Sequence, residues 1–321
     1  MDLIHLASLP TPLQPAVRLS DRLGIDLYFK RDDLTGFAMG GNKVRKAEYL
    51  LVDATTKNAD TLITAGAVQS NHARVIAAAA KVCGMDCHLV LAGDEPEAPN
   101  GNLLLDILSH ATIHFVPKGT DRAAVMESLA VELSRTGRRP YIIPIGGSNA
   151  VGAQGYVQFM QELKSQLDSI EKKPNRLVFA TSSGGTYGGI LAGKLARGLD
   201  IELLGVRVDD DPGAEEEIER IARESLNLAG ISEKFGNGET VNLDVDHVGE
   251  GYGIPTEAGL AAVHMVWETE GILLDPVYSG KAMSAVFTRA TRCEFANDRI
   301  IFLHTGGGPS VFANSAMLID K

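Results

Sequence analysis

The chain has few cysteines, a deficit of basic residues and no long apolar run, and each shortage excludes a class of protein. Only three cysteines occur among 321 residues, which argues against a disulfide framework and favours reduced thiols in a cytoplasmic protein. No apolar stretch approaches the length of a membrane span, and the first residues lack the basic region and apolar run of a secretory signal. The net charge of −11 excludes nucleic acid and acidic membranes as expected partners.

Two groups of potential ligand side chains are interpreted as structural. Cys83, Cys87 and His88 lie close together in sequence, but no second ligand pair accompanies them, so buried thiols are expected and no metal is predicted. The acidic runs Asp209–Asp211 and Glu215–Glu217 are interpreted as solvated surface.

Short apolar segments alternate with segments of helical periodicity along the chain, which is typical of a parallel sheet covered by helices. The length suggests one large or two smaller α/β domains. Helices are predicted over 71–82, 122–135 and 156–169, and long connections over about 94–102 and 209–246. Strands are predicted over 27–30, 61–64, 88–91, 113–116, 141–143, 176–180, 202–208 and 299–304.

A lysine follows a glycine pair at the start of an amphipathic segment, in Gly40-Gly41-Asn42-Lys43-Val44-Arg45-Lys46. A lysine at a helix start, beside a second cation, has its ammonium form disfavoured. Such an amine can act as a base, a nucleophile or a Schiff-base partner of a carbonyl cofactor. The alternative is a solvated lysine in a basic cluster.

The small-residue segment 181–189, called here the phosphate loop, follows a predicted strand and opens a helix. Small residues and free helix N–H groups together favour an anion site. The segment lacks the lysine of a nucleotide P-loop, and its glycine spacing does not match the dinucleotide fingerprint. A monophosphate is therefore expected, and a nucleotide-binding dehydrogenase is disfavoured. The alternative is a turn that only lets a helix pack on the sheet.

Three further segments place polar groups at the ends of predicted strands or the starts of helices. Gln69-Ser70-Asn71-His72 follows a strand and enters a helix, so it either binds a carboxylate or only caps the helix. Residues 275–282 carry Tyr278 at a helix start, and residues 303–309 carry Thr305 in a glycine-rich turn. Because ligands of open α/β sheets bind at the carboxyl ends of strands, these segments are expected to meet.

Taken together, these motifs resemble those of the pyridoxal-phosphate enzymes of the tryptophan-synthase-β type, in the branch of the D-cysteine desulfhydrases and aminocyclopropane-carboxylate deaminases. The likeness runs from Leu9 to Phe312 in the order of the family. It implies two open, twisted, mostly parallel sheets with helices on both faces, in an α/β fold. It also implies a homodimer, with a larger cofactor domain formed by residues 1–46 and 156–321 and a smaller domain inserted at 47–155.

The resemblance implies pyridoxal 5′-phosphate as the cofactor and assigns residues to it. Lys43 would carry the cofactor as a Schiff base, Asn71 would contact its 3′-oxygen, and Thr305 would face the pyridine nitrogen. The phosphate would lie on Ser183, Gly184, Gly185 and Thr186.

The resemblance also implies a small amino-acid substrate. Gln69, Ser70 and Asn71 would hold its carboxylate, and Tyr252 and Tyr278 would line its other side. Catalysis would rest on Lys43, Ser70, Tyr252 and Tyr278, with Lys43 removing the Cα proton.

The branch is indicated by Tyr278-Ser279 and His304-Thr305, which look like the desulfhydrases. Cyclopropane deaminases typically have glutamate after that tyrosine and leucine in the last glycine motif. The expected activity is β-elimination from D-cysteine to pyruvate, ammonia and hydrogen sulfide. L-Cysteate sulfo-lyase activity is the first alternative, since Arg207 either meets a sulfonate or forms a surface salt bridge. Aminocyclopropane-carboxylate deamination and a non-catalytic pyridoxal-phosphate-binding protein follow.

Overall fold

A computed structural model describes residues 4–232, 235 and 240–319, in which strands and helices alternate. The strands of this part are β1 (Leu13–Pro15), β2 (Asp26–Lys30), β3 (Thr61–Ala67), β4 (Asp86–Ala92), β5 (Thr112–Val116), β6 (Pro140–Ile142), β7 (Arg176–Thr181), β8 (Glu202–Arg207), β9 (Leu243–Asp244) and β10 (Arg299–Leu303). The α-helices are α1 (Val17–Leu23), α2 (Asn42–Thr56), α3 (Asn71–Val82), α4 (Gly101–Leu108), α5 (Arg122–Arg135), α6 (Ala150–Leu167), α7 (Gly185–Arg197), α8 (Ala214–Leu228), α9 (Glu257–Glu270), α10 (Ser279–Thr291), α11 (Gly308–Ala313) and α12 (Ser315–Ile319).

The strands form two sheets. The larger has the order β1-β2-β10-β7-β8-β9 and is parallel except for β1, which pairs with β2 in the antiparallel sense. The smaller has the order β5-β4-β3-β6 and is parallel throughout. This arrangement confirms the predicted α/β class with two open, mostly parallel sheets.

Each sheet is covered by helices on both faces, because its strands alternate apolar side chains between the faces. In β7, Val178 and Ala180 pack in a core cluster with residues of α1, α9 and α10, whereas Leu177 and Phe179 pack with α6, α7 and α8. In the smaller sheet, one face packs on α2, α3 and α4 and the other on α5.

The predicted division into two domains is a proposal, and the sheets are its support. Every strand of the smaller sheet lies between Thr61 and Ile142, and every strand of the larger sheet lies outside that range. The proposed boundaries after residues 46 and 155 fall inside α2 and α6. Residues 1–3, 233–234, 236–239 and 320–321 of the proposed larger domain lie outside the described residues.

The prediction of one long connection over 209–246 is wrong, because α8 and β9 lie within it. The acidic run Glu215–Glu217 opens α8, where negative charge is stabilised by the helix dipole. Ile218, Ile221 and Ala222 then form a buried stripe at helical spacing. The helices predicted at 71–82 and 122–135 are confirmed to the residue, whereas α6 begins at Ala150, since Asn149 caps it through Gly152 N at 2.8 Å. In the described chain, no helix has the length and apolar character needed to cross a membrane.

Candidate active site

A cavity of about 470 Å³ opens where the carboxyl ends of β3, β7 and β8 meet the N-termini of α2, α3 and α7. This is the edge at which open α/β sheets bind ligands. Of the predicted site residues, all but Gln69 line it: Lys43, Ser70, Asn71, Ser183, Gly184, Gly185, Thr186, Tyr252, Tyr278 and Thr305. Segments that are far apart in sequence thus meet in one place.

Lys43 is the second residue of α2 and enters the cavity after a glycine turn. Gly40 and Gly41 have φ angles of +69° and +109°, a backbone form that glycine adopts without strain. The Nζ atoms of Lys43 and Lys46 lie 3.4 and 3.1 Å from the same acceptor, the carbonyl oxygen of Gly146. Burial lowers the pKa of Lys43 to about 8, and burial together with the charge of Lys43 holds the pKa of Lys46 well below its usual range.

A buried ion cluster stabilises the start of α2, the helix that carries Lys43. The Arg45 guanidinium donates to both carboxylate oxygens of Asp32, in each case at 2.9 Å, and also to Glu162. Tyr156 donates to Asp32 at 2.6 Å, and Lys30 pairs with Glu162. Burial works against charge on Arg45, but these carboxylates outweigh it and raise the Arg45 pKa. The cluster fixes the start of α2 against α6.

The phosphate loop forms a concave backbone surface at the N-terminus of α7. Gly184 has a φ of +76° and precedes the first helical residue, Gly185. A Cβ atom at position 185 would lie 2.6 Å from Ser148 Oγ and 2.7 Å from Lys46 Nζ, so only glycine lets the backbone approach both groups. Free helix N–H groups beside a lysine amine make an anion site.

The turn before α3 combines capping with cavity lining. Ser70 Oγ accepts a hydrogen bond from Ala73 N at 3.1 Å, so this residue is the N-cap, and it also lines the cavity. The Gln69 side chain turns away from the cavity. Its Oε1 accepts from Asn102 N at 2.8 Å and its Nε2 donates to Asn100 O at 3.2 Å. Gln69 therefore contacts α4, and its predicted role on the substrate carboxylate stays a prediction.

Tyr252 and Tyr278 form a hydrogen-bonded pair through their hydroxyls, called here the tyrosine pair. Tyr278 immediately precedes α10, where Asp275 Oδ2 accepts from its backbone N at 2.9 Å. Lys281 Nζ donates to Val248 O at 2.6 Å and to Gly251 O at 2.9 Å and so anchors the loop that carries Tyr252.

The hydroxyls of the tyrosine pair keep their protons. Burial, followed by contact with Tyr252, raises the pKa of Tyr278 well above its usual range. Burial also raises the pKa of Tyr252, against the hydrogen bond with Tyr278 and the charge of Arg122. Two neutral phenols therefore face the cavity.

Asp209, Asp210 and Asp211 follow β8 and line the mouth of the cavity, and we call them the acidic rim. Asp210 and Asp211 are exposed, as expected of solvated surface, and all three residues also border the cavity, which the sequence did not indicate. Arg207 is buried, pairs with Asp209 and donates to Asp211 O at 2.8 Å. Its charge is thus compensated inside the protein rather than at a surface salt bridge.

Lys46 and His72 are cavity residues that the sequence analysis did not assign. Lys46 lies three positions after Lys43, a helical spacing that puts both on one face and was a usable signal. His72 Nε2 contacts Thr64 Oγ1 at 2.8 Å, while its Nδ1 is buried without a partner among the described residues. Burial, followed by Lys43 and Lys46, holds the His72 pKa well below its usual range, so the ring is neutral.

The cysteines do not form a metal site in the described part of the chain, where no group of potential ligands is close enough to hold an ion. Cys87 is buried, Cys83 is half-buried, and all three cysteines are free thiols. The burial of Cys87 agrees with the expected buried thiol, whereas Cys83 is only half-buried.

The chain is similar to known proteins over almost its whole length. A family model described as "Pyridoxal-phosphate dependent enzyme" matches residues 4–306. Curated D-cysteine desulfhydrases of Salmonella newport (strain SL254) and Salmonella typhi are each 42% identical over 316 residues, which is 97% of this chain and 95% of each relative.

Solved structures of other proteins are also similar to this chain. The crystal structure of an ACC deaminase homologue has a TM-score of 0.91 at 37% identity and covers 99% of this chain and 95% of its own. A fungal L-serine ammonia-lyase from Rhizomucor miehei has a TM-score of 0.70 at 19% identity, covers 98% of this chain and 99% of its own, and shares the fold. On these matches, the chain belongs to the pyridoxal-phosphate dependent enzymes.

Proposed function

We propose that this protein is a D-cysteine desulfhydrase, in which one D-cysteine and one water give pyruvate, ammonia and hydrogen sulfide. The observation that carries the proposal is the full-length likeness to D-cysteine desulfhydrases, at 42% identity over 97% of the chain. The cavity supports it, because it combines a depressed lysine, an anion site and a pair of neutral phenols.

The residues around the cavity fit pyridoxal phosphate. Lys43 supplies an amine for a carbonyl group, and the backbone of the phosphate loop with Lys46 supplies a cradle that a Cβ atom at position 185 would fill. Asn71 and Thr305 add an amide and a hydroxyl to the cavity wall. When bound, pyridoxal phosphate supplies an electron sink for the bonds at the substrate Cα.

Lys43 is proposed to move the proton at the substrate Cα. A pKa of about 8 leaves a useful fraction of its amine neutral near neutral pH, which a general base requires. The depression comes from burial, so closure of the cavity around a substrate would preserve it.

The substrate carboxylate is proposed to lie at the N-terminus of α3. Ser70 Oγ accepts the cap hydrogen bond, which leaves its hydroxyl hydrogen free to donate. The first N–H groups of a helix lack intrahelical partners and favour an anion. Gln69 would act there indirectly, since its side chain is bonded to Asn100 and Asn102.

The tyrosine pair is proposed to act at the sulfur end. Because both phenols are neutral, they can donate a proton or a hydrogen bond to a departing thiolate but cannot act as bases at neutral pH. The roles of Tyr252 and Tyr278 would be distinguished by separate phenylalanine substitutions.

The acidic rim disfavours L-cysteate, because its three carboxylates outnumber Arg122, a cation that also lines the cavity. Arg207, the candidate partner of a sulfonate, is paired with Asp209, and the acidic rim would repel an anionic side chain. For aminocyclopropane-carboxylate, Ser279 stands where the deaminases of the resembling branch have glutamate, and its Oγ is buried against Asp275 Oδ1 at 2.7 Å. It therefore offers nothing to the cofactor.

The proposal also covers the oligomeric state and the cellular location. A homodimer is proposed from the family resemblance alone. A cytoplasmic location is proposed because the cysteines are free in the structure and reduced thiols are typical of that compartment.

The test is a comparison of substrates with the purified holoenzyme. Pyruvate is assayed with D-cysteine, L-cysteine, L-cysteate and aminocyclopropane-carboxylate in parallel, and sulfide and sulfite are assayed in the same samples. The proposal expects pyruvate with sulfide from D-cysteine and much slower turnover of the other three. Faster release of pyruvate with sulfite from L-cysteate would replace it by the sulfo-lyase, and pyridoxal-phosphate binding without turnover of any amino acid would leave a binding protein.

A further inference from the structure

Asn102 lies outside the cavity wall, yet it contacts the turn that carries Asn71. It is the second residue of α4 and its side chain is buried. Its Nδ2 donates to Gln69 O at 2.9 Å and to Asn71 Oδ1 at 3.0 Å, while its backbone N donates to Gln69 Oε1 at 2.8 Å. Three hydrogen bonds thus join one residue of α4 to Gln69 and to the first residue of α3.

The direction of these hydrogen bonds follows from one atom whose chemistry is certain. The backbone carbonyl of Gln69 can only accept, so the amide atom of Asn102 that faces it must be the nitrogen. The same nitrogen faces Asn71, and its two hydrogens serve both contacts. The atom of Asn71 that meets it must therefore be the oxygen.

Asn71 in turn has only one way to face the cavity. With its Oδ1 occupied by Asn102, its Nδ2 is left with no partner in the part of the chain that the structure describes, and Asn71 lines the cavity. The wall at this point presents a hydrogen-bond donor. A donor stabilises an oxygen that carries negative charge, whereas an acceptor in its place would destabilise it.

The start of α4 is built for this contact. Gly101 has a φ of +55°, and a Cβ atom there would lie 2.5 Å from Gln69 Oε1 and 2.8 Å from Pro309 O. Glycine at this position lets α4 approach both Gln69 and α11, which brings Asn102 within hydrogen-bonding distance of the turn.

We propose that Asn102 is a positioning residue that holds Asn71 with its amide N–H toward the cavity, so that Asn71 stabilises an anionic oxygen of the bound cofactor. This rests on the proposed use of the cavity for pyridoxal phosphate and assigns a role to α4 in it. Gln69 takes part as a brace between Asn102 and Asn100.

The test compares two substitutions of Asn102. A purely structural role would make Asn102→Ala the more damaging one, whereas the proposed role makes Asn102→Asp the more damaging one. Asn102→Asp keeps the shape but offers only acceptors, so the Asn71 amide should rotate and present its oxygen to the cavity. Asn102→Ala removes the donor to Asn71 Oδ1 and leaves the Asn71 amide free to take either orientation. Asn227→Asp, at an exposed position of α8, adds the same charge at the surface and is the control.

The readout is the visible absorbance band of the holoenzyme, titrated with pH in the absence of substrate. The proposal expects the midpoint to rise by about one pH unit in Asn102→Asp, since loss of a charge-assisted hydrogen bond is worth about that much, with a smaller rise in Asn102→Ala. The dissociation constant for pyridoxal phosphate should rise about tenfold in Asn102→Asp. The control should match the wild type.

An unchanged midpoint and affinity in Asn102→Asp would overturn the proposal, as would a larger shift in Asn102→Ala than in Asn102→Asp. A normal wild-type titration without any turnover of D-cysteine would instead count against the proposed function alone, because the midpoint is measured without substrate.

Discussion

Lys281→Met should disable the tyrosine pair without unfolding the protein. Lys281 is buried and its Nζ holds the carbonyls of Val248 and Gly251, one of them directly before Tyr252. Methionine fills a similar volume but donates nothing, so two carbonyls lose a charged donor. Because this loop is exposed, water can replace part of the loss, and we expect the observed position of the loop to be destabilised by about 2–3 kcal/mol.

That magnitude predicts a fall in kcat/KM for D-cysteine of about 30- to 150-fold. The assay is a double-mutant cycle in which Lys281→Met, Tyr252→Phe and the double variant are compared by sulfide release. If Lys281 acts through Tyr252, the double variant loses no more activity than the worse single variant. Lys164→Met, at an exposed lysine on α6, is the matched control.

Two results would refute this reasoning. Activity of Lys281→Met within about threefold of the wild type would mean that the loop does not need its anchor. Additive losses in the double variant would mean that Lys281 acts independently of Tyr252.

Three further predictions concern the rest of the site. Arg45→Met should lower the free energy of unfolding by about 3–5 kcal/mol in urea denaturation, since Asp32 and Glu162 lose their buried partner. Uptake of pyridoxal phosphate by the apoprotein should rise about tenfold per pH unit below pH 8 and level off above it, because the Lys43 amine with its pKa of about 8 reacts when neutral. Asp209→Asn should raise kcat/KM for L-cysteate relative to D-cysteine by about tenfold, since the acidic rim loses one negative charge and Arg207 loses its carboxylate partner.

Each of these has a control and a contrary outcome. Arg220→Met removes an exposed arginine and should cost less than about 1 kcal/mol, so an equal loss in both variants would contradict the role of the buried cluster. A flat rate of cofactor uptake from pH 6 to 9 would contradict the depressed pKa of Lys43. An unchanged substrate ratio in Asp209→Asn would show that the acidic rim does not select by charge, with Glu202→Gln at the far end of β8 as the control.

The fold and the local motifs could be predicted from the sequence because their signals are local. Apolar runs bounded by turn residues marked the strands β2 to β8 and β10, whereas the short strands β1 and β9 were not predicted. A glycine turn before Asn42-Lys43 marked the start of α2. The error over residues 209–246 had a physical cause. Acidic residues were weighted as surface and loop, although Glu215–Glu217 stabilise a helix N-terminus and Ile218 begins a buried stripe.

The supporting contacts of the site could not be predicted from the sequence. Asn102 meets Gln69 across 33 positions, and Lys281 meets Val248 across 33 positions, through backbone carbonyls that leave no trace in residue type. The motif Gln69-Ser70-Asn71-His72 predicted a carboxylate role for Gln69, which stays a prediction, but it gave no sign that the Gln69 side chain bonds to Asn100 and Asn102. These contacts depend on how the chain packs in three dimensions.

The central claim is tested most directly by the stoichiometry of products from D-cysteine. Sulfide and pyruvate are measured together in wild-type holoenzyme and in Lys43→Ala, with folding of the variant checked by circular dichroism. The account predicts equimolar sulfide and pyruvate from the wild type, and neither product nor a visible cofactor band from the folded variant. Equal turnover by Lys43→Ala, or no sulfide from the wild type with D-cysteine, would contradict it.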